Sequence, residues 1–168
     1  MKNAKSIGMR GGSVLAGTLA VFLVASTNAR ADQTVVVRSG NGPINSQDTQ
    51  VRYLSYGTTG DITPTPANFV SAQTGPFAYV VAPFTTYLAA LPHDPAAKWV
   101  ARAVGWPAGT TLYAVPFQLT DATITSATLD IHYSVDNAIN GVFFNGQRIS
   151  GNSYDGDYHA EYEFVRPY

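Results

Sequence analysis

Polar and apolar residues alternate most clearly over residues 128–135. Every second residue from Leu129 to Val135 is apolar, and the residues between them are polar. A period of two places the two sets on opposite faces of a β-strand. We therefore predict a strand here, with its apolar face on a core and its polar face, which includes His132, in water.

Residues 112–119 repeat this alternation around Pro116. Proline cannot donate a ladder hydrogen bond, so Pro116 indicates an edge strand or a bulge. Further short stretches rich in Thr, Val, Tyr and Phe predict strands at 34–38, 50–55, 77–81 and 98–104. Residues 86–91 are predicted as a strand-like segment or a single helical turn. The sequence therefore predicts an all-β fold, namely a β-sandwich, of which the jelly roll is one form.

The pattern is interrupted between residues 57 and 76. This stretch is rich in Thr, Gly and Pro, and Phe69-Val70 is its main apolar pair. Such composition predicts a long surface connection with one short element at most.

The start of the chain has a different pattern. Lys2, Lys5 and Arg10 precede an apolar run from residue 14 to residue 25, and Ala29-Arg30-Ala31 follows. A positive segment, a short apolar segment and an A-x-A site are typical of a secretory signal peptide. We predict a signal-peptide helix over 1–31, cleavage after Ala31, and one exported domain over 32–168. An uncleaved membrane anchor is the alternative.

Charge and cysteine content narrow the function classes. After cleavage the chain has six Lys and Arg against eleven Asp and Glu, a net charge of −5. Such a surface repels phosphate backbones, so nucleic acid is not an expected partner. The chain has no cysteine, which excludes thiol catalysis and disulfides. No later stretch is apolar enough to predict membrane association after cleavage.

Two dipeptides predict turns. Asn145-Gly146 lies between two strand-like runs and is typical of a type I′ hairpin, which needs positive φ at both central residues. Asp136-Asn137 directly follows a predicted strand, where its side chains can bind nearby backbone amides.

These segments resemble galactose-binding-domain-like β-sandwiches of exported bacterial proteins. The resemblance is carried by Trp99, then 113–117, 129–137 and 142–146, and covers roughly the second half of the exported part. It implies an eight-stranded jelly roll that binds sugars, cell-surface polymers or neighbouring domains. The family usually continues past a segment like 158–168, so the resemblance also implies missing last strands or a different closure. An open sheet edge would promote self-association.

Aromatic residues near turns are the candidate carbohydrate-binding residues. Trp106 is flanked by Gly105 and Pro107, which predicts a loop position, whereas Trp99 is expected in the core. Tyr154, Asp155 and Tyr158 form a second group in which rings can stack on sugars and a carboxylate can bind hydroxyls. The alternative is that these rings fill the core.

Carboxylates of the same segment are candidate calcium ligands. Asp155, Asp157 and Glu161 offer the hard oxygen atoms that Ca²⁺ prefers. The spacing does not match the helix–loop–helix calcium motif, and a solvated acidic turn is the alternative.

Catalytic motifs are absent from the sequence, including Gly-x-Ser-x-Gly, His-Glu-x-x-His and Gly-x-Gly-x-x-Gly. We therefore expect no enzyme. The sequence predicts an exported binding module for carbohydrate or envelope polymer. The alternatives are a structural or assembly protein of the cell surface or matrix, and part of the accessory domain of a larger enzyme.

Overall fold

The protein is described by a computed structural model. It describes residues 6–14, 17–27, 30–119, 126–150, 154–155 and 157–167. These residues form twelve strands and one helix: β1 (Ser6–Val14), β2 (Gly17–Thr27), β3 (Arg30–Arg38), β4 (Gln47–Ser55), α1 (Pro66–Thr74), β5 (Phe77–Val80), β6 (Val100–Ala101), β7 (Thr110–Gln118), β8 (Ala127–Val135), β9 (Ala138–Phe144), β10 (Gln147–Arg148), β11 (Tyr154–Asp155) and β12 (Tyr162–Pro167).

The strands pair in the order β10-β9-β1-β7-β4-β5-β6-β2-β8-β12, with β11 on β9 and β3 on β2. Each of these pairings is antiparallel. The all-β prediction is confirmed, and the pairing is compatible with a sandwich. No helix in the described part of the chain is long and apolar enough to cross a membrane.

The first two strands differ from the predicted signal-peptide helix. β1 lies between β7 and β9, and β2 lies between β8 and β3. An apolar run rich in Val and Leu suits a strand as well as a helix, and here the backbone groups of β3 and β8 pair with it. The conformation predicted for this segment is therefore not the one in the structure.

The main core lies on the apolar face of β8. Leu129, Ile131, Tyr133 and Val135 are all buried, as the alternation predicts. They pack with residues of the other strands, including Val51, Val100, Tyr113, Val115, Val142 and Phe144. Burying such side chains supplies the main stabilisation of a domain that has no disulfide.

The prediction that the polar face of β8 lies in water is wrong. His132 is 6% exposed and Ser134 is fully buried. The His93 ring stacks on His132 at 3.6 Å between ring centroids, and the Ser134 hydroxyl donates to the carbonyl of Asp157 at 3.1 Å. Two connections therefore cover this face, an arrangement that alternation within one strand cannot reveal.

The connection over 57–76 contains helix α1. Thr65 caps its N-terminus: its hydroxyl accepts from the Asn68 amide, and the Asn68 side chain accepts from the Thr65 amide. Pro66 at the first turn suits this start. Phe69 packs on Phe143 of β9, with ring centroids 5.1 Å apart. The one short element expected there is thus a helix anchored to the sheet.

The predicted turns are formed. Asn145 and Gly146 have φ of 50° and 82° and connect β9 to β10, as a type I′ turn requires. Asn137 has φ of 81°. β8 and β9 flank Asp136-Asn137 but do not pair with each other. The turn therefore connects β8, which lies between β2 and β12, to β9, which lies between β1 and β10.

Candidate functional site

Five aromatic side chains from separate connections meet beside the β5–β6 region. We call them the aromatic cluster: Phe84, Tyr87, Trp99, Trp106 and Tyr158. Phe84, Tyr87 and Trp99 come from the connection between β5 and β6, Trp106 from that between β6 and β7, and Tyr158 from the segment before β12. Binding residues are commonly carried on loops that a rigid sheet brings together.

Tyr87 is at the centre of the aromatic cluster. Its ring stacks on Tyr158 with centroids 4.4 Å apart, and meets Trp106 edge-on at 5.3 Å. Trp99 lies 5.2 Å from Tyr87 and forms the floor, since it is 1% exposed and its indole N–H donates to the Leu88 carbonyl at 2.7 Å. The prediction that Trp99 is a core residue is confirmed.

The hydroxyl of Tyr87 donates to Asp136 Oδ2 at 2.6 Å. Burial raises the pKa of Tyr87 well above its ordinary value, and the hydrogen bond and negative charge of Asp136 raise it further. Asp136 therefore fixes the central ring of the cluster in addition to forming its predicted turn.

Trp106 and Phe84 form the outer part of the cluster. Their rings are 5.0 Å apart, Trp106 is half-buried, and Phe84 is 52% exposed. Trp106 has φ of +56°, a left-handed conformation that bulky residues rarely adopt. Such backbone strain is often found at ligand-contacting positions, because the surrounding structure must hold it in place.

Polar groups lie next to the exposed side of Tyr158. The His159 ring lies 4.0 Å from the Tyr158 ring, and its Nδ1 is 2.7 Å from Asp157 Oδ1. The backbone N–H of His159 donates to the same oxygen at 2.8 Å. This backbone hydrogen bond, together with the His159 side chain, lowers the pKa of Asp157, so the carboxylate is an acceptor at neutral pH.

The other two sugar-binding candidates are in strand β11. Tyr154 and Asp155 form β11, whose backbone pairs with Ile139 and Ala138 of β9. Their side chains lie outside the described residues. Of the four candidates, the structure thus brings Trp106 and Tyr158 together.

The calcium candidates have separate partners. Asp157 binds the backbone and ring of His159, whereas Glu161 Oε2 accepts from the His93 backbone amide at 3.0 Å. Among described side chains, the groups of potential metal ligands that lie together include Glu161 but not Asp157. The structure therefore places Glu161 with imidazole nitrogens.

Sequence reasoning missed Phe84 and Tyr87. Both lie in a connection without periodicity, and the signal available was only the aromatic content of residues 84–87. The long-range pairing that brings Tyr158 and Trp106 to them leaves no trace in local sequence.

Comparison with known protein families, curated proteins and solved structures finds no match to this chain. The resemblance to galactose-binding-like domains therefore stays a prediction.

Proposed function

We propose that the protein is a non-catalytic carbohydrate-binding module that uses the aromatic cluster as its binding surface. The observation that carries the proposal is the convergence of a half-buried Trp106, an exposed Phe84 and a half-buried Tyr158 around one central tyrosine. Aromatic faces stack on the apolar C–H faces of sugar rings, and this contact needs little rearrangement when the rings are already fixed.

Polar groups around the cluster suit the hydroxyls of a sugar. Asp157 is a partly exposed acceptor, and His159 beside it is exposed and offers ring nitrogens. Sugars need both an apolar platform and nearby donors and acceptors, because a buried hydroxyl without a partner weakens binding. The net charge of −5 expected after removal of residues 1–31 favours a neutral polysaccharide over an acidic one.

The proposal also includes a jelly-roll topology for the sheet and export of the protein from the cell. A jelly-roll sandwich of the galactose-binding-like type would place loops at its ends, as binding modules of this kind require. The N-terminal charge, apolar run and A-x-A site support export with removal of residues 1–31.

Polysaccharide retention tests this proposal. We expect the full chain to be retarded in affinity electrophoresis by at least one member of a panel containing β-glucan, arabinogalactan, galactomannan, xylan and solubilised peptidoglycan. Trp106→Ala should lose about 10-fold or more in affinity, since stacking on an aromatic face contributes on the order of 1–3 kcal/mol. Val104→Ala, an exposed change in the same connection, is the matched control. The proposal fails if no polysaccharide retards the wild-type protein.

A second candidate, assembly through an exposed sheet edge, is favoured by the position of β1 and β2. Residues 1–31 include all of both strands, and β1 pairs with β7 from Thr110 to Gln118 and with β9. If signal peptidase removes them, the backbone groups of β7, β8 and β9 that face these strands lose their partners. Unpaired edges readily accept another strand, so we propose that the processed domain pairs with a second copy.

Light scattering tests this second candidate. We expect a protein beginning at Asp32 to form dimers or larger species at micromolar concentration. The full chain should stay monomeric, because β1 and β2 already pair with β7, β8 and β9. A folded, strictly monomeric 32–168 protein up to about 100 μM would remove the candidate, because paired strands should associate well below this concentration.

A further inference from the structure

A second group of side chains lies on the polar face of β8, and none of its members belongs to the binding surface proposed above. His132 projects from this face, Glu161 lies just before β12, and His93 comes from the connection between β5 and β6. One ligand atom from each of the three lies within 4.8 Å of the others. Asp130 and Glu163 flank the same histidine.

The strand register brings these residues together. Glu163 on β12 is the cross-strand partner of His132 on β8, and Asp130 is two residues before His132 on the same face. Glu161 is two residues before Glu163. Two short patterns, Asp-x-His and Glu-x-Glu, therefore form one surface once β8 and β12 pair.

The two sides of His132 have different neighbours. Its Nδ1 lies 2.9 Å from Glu161 Oε1, and its Nε2 lies 3.3 Å from Asp130 Oδ1 and 3.9 Å from Glu163 Oε1. Glu161 Oε1 is buried and accepts no well-aligned hydrogen bond from the described residues. Buried carboxylate oxygens without a donor are costly, and an ion is one common way to satisfy them.

We propose that His93, His132 and Glu161 form a binding site for a divalent first-row transition metal ion, of which Zn²⁺ is the best chemical fit. Two imidazoles and one carboxylate are typical zinc ligands, whereas Ca²⁺ takes six to eight oxygen atoms. Two ligands at normal zinc distances in tetrahedral geometry are about 3.4 Å apart. The Nδ1 to Oε1 distance is 2.9 Å, so an ion between them requires the two atoms to move apart by about 0.5 Å.

The flanking carboxylates select which nitrogen of His132 binds the ion. Asp130 and Glu163 can accept the proton of Nε2, which leaves the Nδ1 lone pair directed toward Glu161. A carboxylate that holds a metal-bound histidine in this way is a common second contact in zinc sites. His93 is stacked flat on His132 with 13° between the rings, but it is exposed, so its ring can rotate to direct a nitrogen at the ion.

Such an ion would join three separate parts of the chain. It would tie the β5–β6 connection to β8 and to the start of β12, which no disulfide can do in a chain without cysteine. Because metal binds the folded site and not the dispersed ligands of the unfolded chain, binding raises thermal stability.

Isothermal titration of ZnCl₂ into the untagged full chain, first treated with chelator, tests the site. We expect one Zn²⁺ per chain, and an increase in melting temperature of about 5–10 °C at 100-fold excess over the dissociation constant. His93→Ala, an exposed change that should not disturb folding, and Glu161→Gln should each weaken binding by about 100-fold or more. His159→Ala, which removes the chain's third histidine, is the matched control and should bind as the wild type does.

The flanking residues Asp130 and Glu163, together with His132, form an alternative ligand set whose atoms also lie within 4.8 Å of one another, and substitutions distinguish it from the proposed one. Asp130→Asn and Glu163→Gln should weaken Zn²⁺ binding by only about 10-fold, because they act through His132. Absence of stoichiometric binding at 1:1 up to millimolar Zn²⁺ would overturn the site. So would unchanged binding in His93→Ala, or a loss in His159→Ala as large as that in Glu161→Gln. The zinc site uses His93, His132 and Glu161, whereas glycan retention uses the aromatic cluster, so failure of Zn²⁺ binding and failure of glycan retention are separate results.

Discussion

Removing the hydroxyl of Tyr87 isolates the contact that fixes the aromatic cluster. In Tyr87→Phe the ring can keep its stacking on Tyr158, but the 2.6 Å hydrogen bond to Asp136 is lost. A hydrogen bond to a charged group contributes about 1.5–3 kcal/mol. Both residues are half-buried, so water replaces part of this contact, and we expect a loss of about 1–2 kcal/mol in the free energy of unfolding.

The same substitution should change the response to alkaline pH. The folded-state pKa of Tyr87 is raised above that of the unfolded chain, so in the range above pH 10 the folded protein holds a proton that the unfolded chain releases. The corresponding stability is fully present below pH 10 and is lost as pH rises above it. For Tyr87 the slope is at most about 1.4 kcal/mol per pH unit, and Tyr87→Phe removes it.

Urea unfolding followed by far-ultraviolet circular dichroism at pH 7.5 and pH 10.5 measures both effects. We expect the midpoint of Tyr87→Phe to fall at pH 7.5 with an unchanged m-value, which corresponds to a melting temperature lower by about 3–6 °C. Tyr79→Phe is the control, because Tyr79 packs on the same cluster and its hydroxyl makes no hydrogen bond within the described part of the chain. Equal stability of Tyr87→Phe and Tyr79→Phe at both pH values would refute the reasoning.

Three further substitutions test other parts of the account. Asp48→Ala should lower the free energy of unfolding by about 3 kcal/mol or more, measured by urea titration, because the buried carboxylate accepts from four backbone amides; a loss under about 1 kcal/mol contradicts this. Trp99→Ala should cost about 3–5 kcal/mol, whereas Trp106→Ala should cost only about 1–2 kcal/mol, because Trp99 is buried and Trp106 is half-buried; thermal melts that rank them in reverse would refute it. Gly146→Ala should lower stability by about 1 kcal/mol, since φ of 82° disfavours a side chain, and an unchanged melting temperature would count against the I′ turn.

The sequence predicted those parts of the fold that depend on neighbouring residues. The alternation over 128–135 identified β8 and its buried face, and Asn145-Gly146 identified the turn between β9 and β10. Helix α1 was not identified, because its Thr65-Pro66 start lies in a polar stretch whose apolar positions are few. Its capping residues were the available signal.

The candidate sites depend on contacts that join distant residues. Trp106 was identified as a loop residue from its flanking Gly105 and Pro107, but Tyr87 and Asp136 gain their roles only from a contact 49 residues apart in sequence. The alternation predicts that His132 faces water. This prediction is wrong because alternation indicates which face of the strand a residue occupies, but not what covers that face. The cover comes from His93 of the β5–β6 connection and from Glu161, and the β8–β12 register that places Glu161 cannot be derived from either strand alone.

Protection of Trp106 from a fluorescence quencher tests the proposed carbohydrate-binding surface most directly. The chain has two tryptophans, and Trp99 is 1% exposed, so acrylamide quenching reports mainly on Trp106. We predict that a polysaccharide retained in affinity electrophoresis reduces the quenching of the wild-type protein, and that Trp106→Phe abolishes this reduction. Unchanged quenching of Trp106 in the presence of a polysaccharide that binds the protein would contradict the proposal, because the ligand would then occupy another surface.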